Sequence, residues 1–181
     1  MIELMIVVAI VGILAVLAIY GVRKYLANAK TAEARNSLGQ VAKDQAAEYE
    51  KESMQTTVLG AGTSAALSRA LCLTEPTAFV PPTASIGGKK YQSTAADWNA
   101  GAAANPPSGF ACLKFTMDAP QYYSYSFLGT GTGVAGASFT ATANGDLNGD
   151  TILSTFSITG AVNTSFVLNI APNMLEVNPE E

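Results

Sequence analysis

Residues 1–20 read MIELMIVVAIVGILAVLAIY, and Glu3 is the one charged side chain among them. A helix of this length spans about 30 Å, which is the thickness of a bilayer hydrocarbon core. The run is longer than the roughly 7–15 apolar residues of a signal-peptide core. No small-residue cleavage site follows it. We therefore expect residues 1–21 to form a transmembrane helix that stays with the protein.

Glu3 is the unusual residue of this segment. A carboxylate inside an apolar helix is costly and is by default functional, with a partner that should be named. The first base that follows in the chain is Arg23, which is too distant to pair with it. We expect the partner of Glu3 on another molecule, the alternative being a place at the lipid interface.

Basic residues follow the apolar segment, and none precedes it in this sequence. Arg23, Lys24, Lys30 and Arg35 come after residue 22. The positive-inside rule alone would then place the C-terminal part in the cytoplasm. A basic leader that is absent from this chain would remove that difficulty.

The run from Ile2 to Ala15 resembles the N-terminus of type IV pilins and of the related type II secretion pseudopilins. In that family a prepilin peptidase removes a short basic leader and methylates the new first residue, usually Phe. The typical mature start is Phe-Thr-Leu-Ile-Glu, and Met1 stands where the family has Leu. We therefore expect the leader and the first two mature residues to be missing from this chain.

The resemblance also implies roles for single residues. Glu3 matches the family glutamate, which is thought to pair with the N-terminal amine of a neighbouring subunit. Gly12 matches a glycine where the helix often loosens in the filament. Tyr20 and Gly21 stand where the family usually has a proline near the end of the apolar run. Since proline disrupts a helix far more than glycine does, we expect Gly12 to Gly21 to be more helical here than in proline-bearing relatives.

The helical pattern continues from residue 22 to about residue 53, where no proline appears. Apolar residues recur at three- and four-residue steps, which predicts an amphipathic helix packed on a C-terminal sheet. The predicted buried stripe consists of Val22, Tyr25, Leu26, Ala29, Ala32, Leu38, Val41, Ala42, Gln45 and Tyr49. The predicted solvent face carries Lys30, Glu33, Arg35, Lys43, Asp44, Glu48 and Lys51.

Residues 54–109 form a connecting region that glycine and proline interrupt repeatedly. We predict a short helix around Ser64–Cys72 within it. From residue 110 the apolar period changes to two, which indicates strands. The predicted strands are Ala111–Met117, Tyr122–Leu128, Ser138–Ala143, Ile152–Thr159 and Phe166–Ile170.

The order of elements predicts an α+β fold, in which a long N-terminal helix (about 1–53) packs on an antiparallel β-meander of four to five strands in residues 110–181. This layout is pilin-like. The chain has two cysteines, Cys72 and Cys112. In a chain with an export-like N-terminus they predict one disulfide, which would tie the first strand to the connecting region. The alternative is two buried thiols in a reducing compartment.

Residues 144–150 read NGDLNGD, with oxygen-bearing side chains at alternate positions, Asp146, Asn148 and Asp150. This resembles the start of an EF-hand-type calcium loop, although Ser157 stands where the closing glutamate would be. The same residues are typical of a hairpin turn, which we favour. Calcium is the one cofactor that the sequence suggests. Asn163-Thr164-Ser165 matches a glycosylation sequon, a short motif with many false matches.

The composition argues against an enzyme and against a nucleic-acid-binding protein. The chain has no His and a net charge of −4, and it shows no basic stripe. No His or convincing Lys partner is available to activate its many Ser and Thr hydroxyls. The sequence predicts a non-enzymatic protein without nucleic-acid partners.

The pattern as a whole predicts a type IV pilus subunit for adhesion and twitching motility. It would sit in the inner membrane, then polymerise through its N-terminal helix into an extracellular filament. The resemblance implies an assembly ATPase, a platform protein and a prepilin peptidase as partners. Two alternatives stay open: a pseudopilin of type II secretion in the periplasm, and a membrane-anchored periplasmic binding domain.

Overall fold

A computed structural model describes residues 2–54, 61–62, 67–131 and 133–179. Its first element is α1, an unbroken helix of 49 residues, Ile2–Glu50. Good helix formers dominate this stretch, and no proline interrupts it. The helix ends three residues before the predicted boundary at 53, because Ser53–Met54 already belongs to a short strand, β1.

The remaining elements follow α1, and the strands of the main sheet lie in the C-terminal third. Two 3₁₀ turns, Thr83–Ser85 and Asp97–Asn99, lie in the connecting region. The other elements are β2 Leu67–Ser68, α2 Gly109–Leu113, β3 Tyr123–Gly129, β4 Ser138–Gly145, β5 Ser154–Val162, β6 Leu168–Ile170 and β7 Leu175–Val177.

The main sheet has five antiparallel strands. β3, β4, β5 and β6 pair in sequence order, and β7 returns to pair with the first half of β5. Thr142 of β4 lies opposite both Ser126 of β3 and Ser157 of β5. The sequence predicts a strand at β3, β4, β5 and β6, with small shifts of their ends. The long helix packed on this sheet confirms the α+β fold.

The prediction of a strand at Ala111–Met117 is wrong. The start of this stretch belongs to α2, which ends at Leu113 and is followed by Lys114 in the left-handed region at φ 58°. Two contacts with distant residues fix this conformation. The Phe110 N–H donates to Oε2 of Glu75 at 2.8 Å, and the Phe110 ring packs edge-on against Trp98 at 5.0 Å. Neither contact is visible in the local alternation of apolar residues.

The prediction of a helix at Ser64–Cys72 is also wrong over the residues that the structure describes. Leu67–Ser68 is β2, which pairs with β1, and residues 69–72 are not helical. The rest of the connecting region runs along the outer edge of β3. It makes isolated antiparallel bridges there, including Val80 to Tyr125 and Tyr91 to Gln121. The region therefore covers a sheet edge that would otherwise expose unpaired backbone groups.

The core lies between the second half of α1 and one face of the sheet. Seven α1 residues are buried in it: Thr31, Ala34, Leu38, Val41, Ala42, Gln45 and Tyr49. The prediction that Val22, Tyr25, Leu26 and Ala29 also pack on the sheet is wrong, since all four are exposed. The head, which we define as residues 67–179, buries side chains of α1 only from Thr31 onwards. A helical repeat shows which residues share a face, but not how far the covering sheet extends.

Glu33 and Arg35 were predicted on the solvent face, and both contact the sheet. Glu33 accepts hydrogen bonds at the start of β3, and Arg35 pairs with Glu176 of β7. The long side chains of these residues reach around the edge of the buried stripe. Charged residues next to an apolar stripe therefore do not all point to water.

Cys72 and Cys112 are joined by a disulfide, with Cα atoms 5.9 Å apart. Cys112 lies on α2 and not on a strand, so the disulfide joins the connecting region to a short helix. Oε1 of Gln45 on α1 accepts a hydrogen bond from the Cys72 N–H at 3.2 Å. The disulfide is thereby also attached to the buried face of the long helix.

Candidate functional site: the exposed half of the long helix

The first half of α1 projects from the head with its apolar side chains uncovered. From Ile2 to Leu26, every large apolar side chain is at least 52% exposed. The helix is long and apolar enough to cross a membrane, and none of its most apolar window is buried. A core helix of a soluble protein or a signal sequence can pass the same test of length and composition. Unlike a core helix, this segment is not buried by the described residues of its own chain.

An apolar surface of this size is not typical of a soluble monomer. Contiguous exposed apolar patches larger than a few hundred Å² usually mark contacts with a membrane or with other proteins. A helix that is apolar on every side has no single face for one partner to cover. The exposed half of α1 therefore needs an environment that surrounds it, such as lipid or a bundle of similar helices.

Glu3 lies in the first turn of α1 and is exposed. An acidic side chain is favourable there because the free N–H groups of a helix N-terminus carry partial positive charge. Arg23 lies twenty residues further along the same helix, which is about 30 Å away. The structure keeps these two residues apart, so an intermolecular partner for Glu3 stays a prediction.

Gly12 and Gly21 both lie inside the unbroken helix. A Cβ added at either position would meet nothing within 4 Å. Neither glycine is needed for a close contact within the chain. Each weakens the helix by about 1 kcal/mol relative to alanine, so they are the two weak points of its exposed half.

The base of the head, which is its end nearest the exposed half of α1, is attached to α1 through Glu33. The sequence predicts this residue to face solvent. Oε1 of Glu33 accepts hydrogen bonds from the Tyr122 N–H at 2.9 Å and from the Tyr125 hydroxyl at 3.3 Å. The Tyr123 N–H donates to the same oxygen at 3.4 Å. Burial raises the pKa of Glu33 above its ordinary 4.5, although these hydrogen bonds and Lys90 oppose the shift.

Two lysines lie against the Tyr122 ring beside this carboxylate. The Lys30 ammonium of α1 is 4.8 Å from the ring centroid, and that of Lys90 is 4.9 Å from it. Both are within the distance at which a cation is attracted to an aromatic face. Lys89 precedes Lys90 and is exposed. The end of the head nearest the apolar half-helix is thus lined by lysine ammonium groups.

Asp146, Asn148 and Asp150 lie in one turn between β4 and β5. Both carboxylate oxygens of Asp146 accept backbone hydrogen bonds, from Gly149 at 2.6 Å and Thr151 at 3.1 Å. Asp150 accepts from the Ile152 N–H in the same way. Within the described residues, no group of three or more His, Cys, Asp or Glu could hold a metal ion. This arrangement favours the hydrogen-bonded turn, and calcium binding stays a prediction.

The sequon residue Asn163 lies in the turn between β5 and β6. Its Oδ1 accepts hydrogen bonds from the backbone N–H groups of Ser165 and Val167, each at 2.9 Å. The side chain of Asn163 therefore has a structural role in closing this turn.

Comparison with known proteins found no matching family model, curated protein or solved structure. The resemblance of residues 2–15 to type IV pilins consequently stays a prediction from the residues themselves.

Proposed function

We propose that this chain is a structural subunit of a type IV pilin-like filament, which assembles through the exposed half of α1. The observation that carries the proposal is the combination of an apolar, uncovered half-helix with a folded head at its other end. Such a subunit is held by lipid before assembly. Copies of the same helix then replace the lipid when the filament forms.

The driving force would be packing of the apolar surface from Ile2 to Leu26 against the same surface of other copies. In lipid, helix association relies on close packing and on polar pairs, since lipid tails are as apolar as the side chains. Gly12 and Gly21 have no side chain, so a neighbouring helix can approach α1 closely at these two positions. Glu3 supplies the one polar group, for which a positively charged N-terminus of a neighbouring copy is the proposed partner.

Adhesion and twitching motility are the proposed roles of the filament, with an inner-membrane form before assembly and an extracellular form after it. The assembly ATPase, platform protein and prepilin peptidase that the resemblance implies would act on this helix. None of these roles requires a catalytic site in the head.

The experiment that tests the proposal is replacement of Glu3 in the full-length protein of the native cell. Glu3→Ala should leave the protein folded and membrane-inserted. Loss of a charged hydrogen bond in apolar surroundings costs about 1.5–3 kcal/mol, so sheared surface filaments should fall about tenfold or more. Glu50→Ala removes an exposed acid outside the apolar half and should leave the filament yield unchanged. Equal yields from both variants would contradict the pairing role of Glu3.

The pilus subunit, the pseudopilin and the membrane-anchored binding domain differ in where the protein is found. Electron microscopy of sheared surface filaments, with mass spectrometry of their main band, identifies a pilus subunit directly. A pseudopilin would be found in the periplasm, and its deletion would stop protein secretion. A membrane-anchored binding domain would form no filament, and Glu3→Ala would change nothing that concerns assembly.

A further inference from the structure

We propose that the lysines at the base of the head bind the anionic headgroups of the membrane that α1 crosses. This inference rests on the proposed membrane-held state of the subunit. It adds a partner, an anionic lipid surface, to which the head itself docks before assembly. The residues that carry it are Lys30, Lys89 and Lys90.

Lys30 lies just beyond the apolar segment along the helix axis. Arg23 is the first charged residue after the apolar run, so the hydrocarbon boundary falls near Val22. Lys30 lies eight residues further, which is about 12 Å along the axis. The headgroup layer on each side of a bilayer is about 5–8 Å thick. Because helical side chains lean toward the helix N-terminus and a lysine side chain is long, the Lys30 ammonium reaches back to about headgroup depth.

The head brings two more cations, Lys89 and Lys90, to the same end of the molecule as Lys30. The Tyr122 ring has the Lys30 ammonium and the Lys90 ammonium at nearly equal distances, 4.8 and 4.9 Å. The ring thus holds one lysine of α1 and one of the connecting region at the same end of the molecule. Lys89 is the neighbour of Lys90 and is exposed.

Two of the acidic groups near these lysines are occupied by hydrogen bonds within the protein. The carboxylate of Glu33 accepts hydrogen bonds from the start of β3. Asp146 is only 5% exposed, and its carboxylate accepts from the backbone of its own turn. Asp118 and Asp150 are the exposed acids of this part of the head. Arg23 and Lys24 on the helix add two more bases next to the membrane.

The charge balance therefore fits an anionic surface. Each Lys or Arg close to an anionic membrane contributes an attraction that corresponds to about a fivefold change in binding. Lys30 on α1 and the two lysines of the head keep their relative positions, because the head is packed on the helix. They would engage the surface together and fix the rotation of the subunit about its helix axis.

The test uses the full chain in nanodiscs, because α1 continues from the membrane into the head without a break. Nanodiscs of phosphatidylcholine alone are compared with nanodiscs that also contain phosphatidylglycerol. Acylation of lysine amines is measured by mass spectrometry. Lys43, Lys51 and Lys114 lie elsewhere on the chain and serve as internal references in the same sample.

Acylation of Lys30, Lys89 and Lys90 should slow about fivefold on the anionic nanodiscs relative to the three references. The difference should disappear in about 1 M salt, where the screening length falls to about 3 Å. Equal rates on both lipids would overturn the proposal. If the protection depends on the number of protein copies in each nanodisc and not on lipid charge, it shows a contact between copies. That result would also overturn the proposal. Protection by inorganic phosphate on neutral nanodiscs would assign the site to free phosphate instead.

A second measurement counts the anionic lipid that stays with the protein in detergent. The variant K30A/K89A/K90A should lose most of this lipid, while the charge-matched variant K43A/K51A/K114A should keep it. K30R/K89R/K90R should keep it as well, which separates loss of charge from a disturbed fold. Equal lipid retention in the two alanine variants would overturn the proposal. Filament yield is measured separately, so failure of this inference is distinguishable from failure of the filament proposal.

Discussion

The guanidinium of Arg35 forms two hydrogen bonds with the carboxylate of Glu176, 141 residues further along the chain. Nε lies 2.8 Å from Oε1, and Nη2 lies 2.9 Å from Oε2. The Arg35 guanidinium also lies 5.6 Å from the centroid of the Phe156 ring. A single side chain of α1 therefore holds both the edge strand β7 and an aromatic ring of β5.

The pairing of Arg35 with Glu176 should contribute about 0.5–1 kcal/mol, since the pair is bidentate but partly exposed. A double-mutant cycle of Arg35→Ala and Glu176→Ala, followed by fluorescence of the buried Trp98 in urea, measures this coupling. Arg35→Ala should lower the free energy of unfolding more than Glu176→Ala does, because it also removes the contact with Phe156. Equal losses of unfolding free energy in the two variants would show that the contact with the Phe156 ring contributes nothing.

The same pair should depend on pH in a defined direction. The hydrogen bond from Arg35 lowers the pKa of Glu176 below its ordinary 4.5. The stabilisation is then present above pH 4.5 and is lost as the pH falls through the lowered pKa. The coupling energy measured at pH 7 should accordingly decrease in strong acid. A coupling that stays constant down to pH 2 would contradict this assignment.

Glu33 should show the opposite pH dependence. Its pKa in the folded protein lies above 4.5 because of burial. The stabilisation is fully present below pH 4.5 and is lost as the pH rises through the raised pKa. The unfolding free energy of wild type, minus that of Glu33→Gln, should therefore fall as the pH rises from 4 to 7.

The disulfide should be a large contributor to the stability of the head. It closes a separation of 40 residues, for which the chain-entropy model gives about 4 kcal/mol. Replacing Cys72 and Cys112 together by Ser should lower the unfolding free energy by about 2–4 kcal/mol. Mass mapping without reductant should find the two cysteines linked. Two free thiols in the mature protein would contradict the structure and would weaken the argument for export.

The acidic turn allows a direct comparison of its two interpretations. Asp146→Ala removes the acceptor of two backbone N–H groups, so it should cost about 1–3 kcal/mol whether or not calcium is present. If the turn also binds calcium, EDTA should lower the melting temperature of wild type but not of Asp146→Ala. An unchanged melting curve with EDTA would leave the turn as the complete explanation.

The glycines of the exposed half-helix give a prediction about the assembled state. Gly12→Ala and Gly21→Ala meet no steric obstacle in the chain, and each should stabilise the helix by about 1 kcal/mol. We expect residues 12–21 to stay largely helical in the filament, with a bend at most. A filament map with several consecutive non-helical residues between Gly12 and Gly21 would contradict this expectation.

The long helix and most of the sheet could be predicted because their signals are local. An apolar run without proline specifies α1, and alternation between turn residues specifies β3, β4 and β5. The edge strand β7 was missed, because a three-residue strand with all its side chains exposed has no apolar alternation.

Other features depend on contacts between residues far apart in the sequence. The helical conformation at Phe110 follows from the carboxylate of Glu75 and the ring of Trp98, and neither is a neighbour in the chain. Glu33 looks like any exposed acid of an amphipathic helix until the start of β3 is placed beside it.

The unbroken course of α1 also has a mechanical consequence. A pull along a filament of such subunits would act on a rod of about 74 Å, whose backbone hydrogen bonds lie parallel to the load. The sheet is attached at the side of this rod, through contacts such as Glu33 to Tyr122 and Tyr49 to the Phe166 carbonyl. Tension would therefore pass beside the strands and not through them. The head could vary its surface without changing the tensile strength of the fibre.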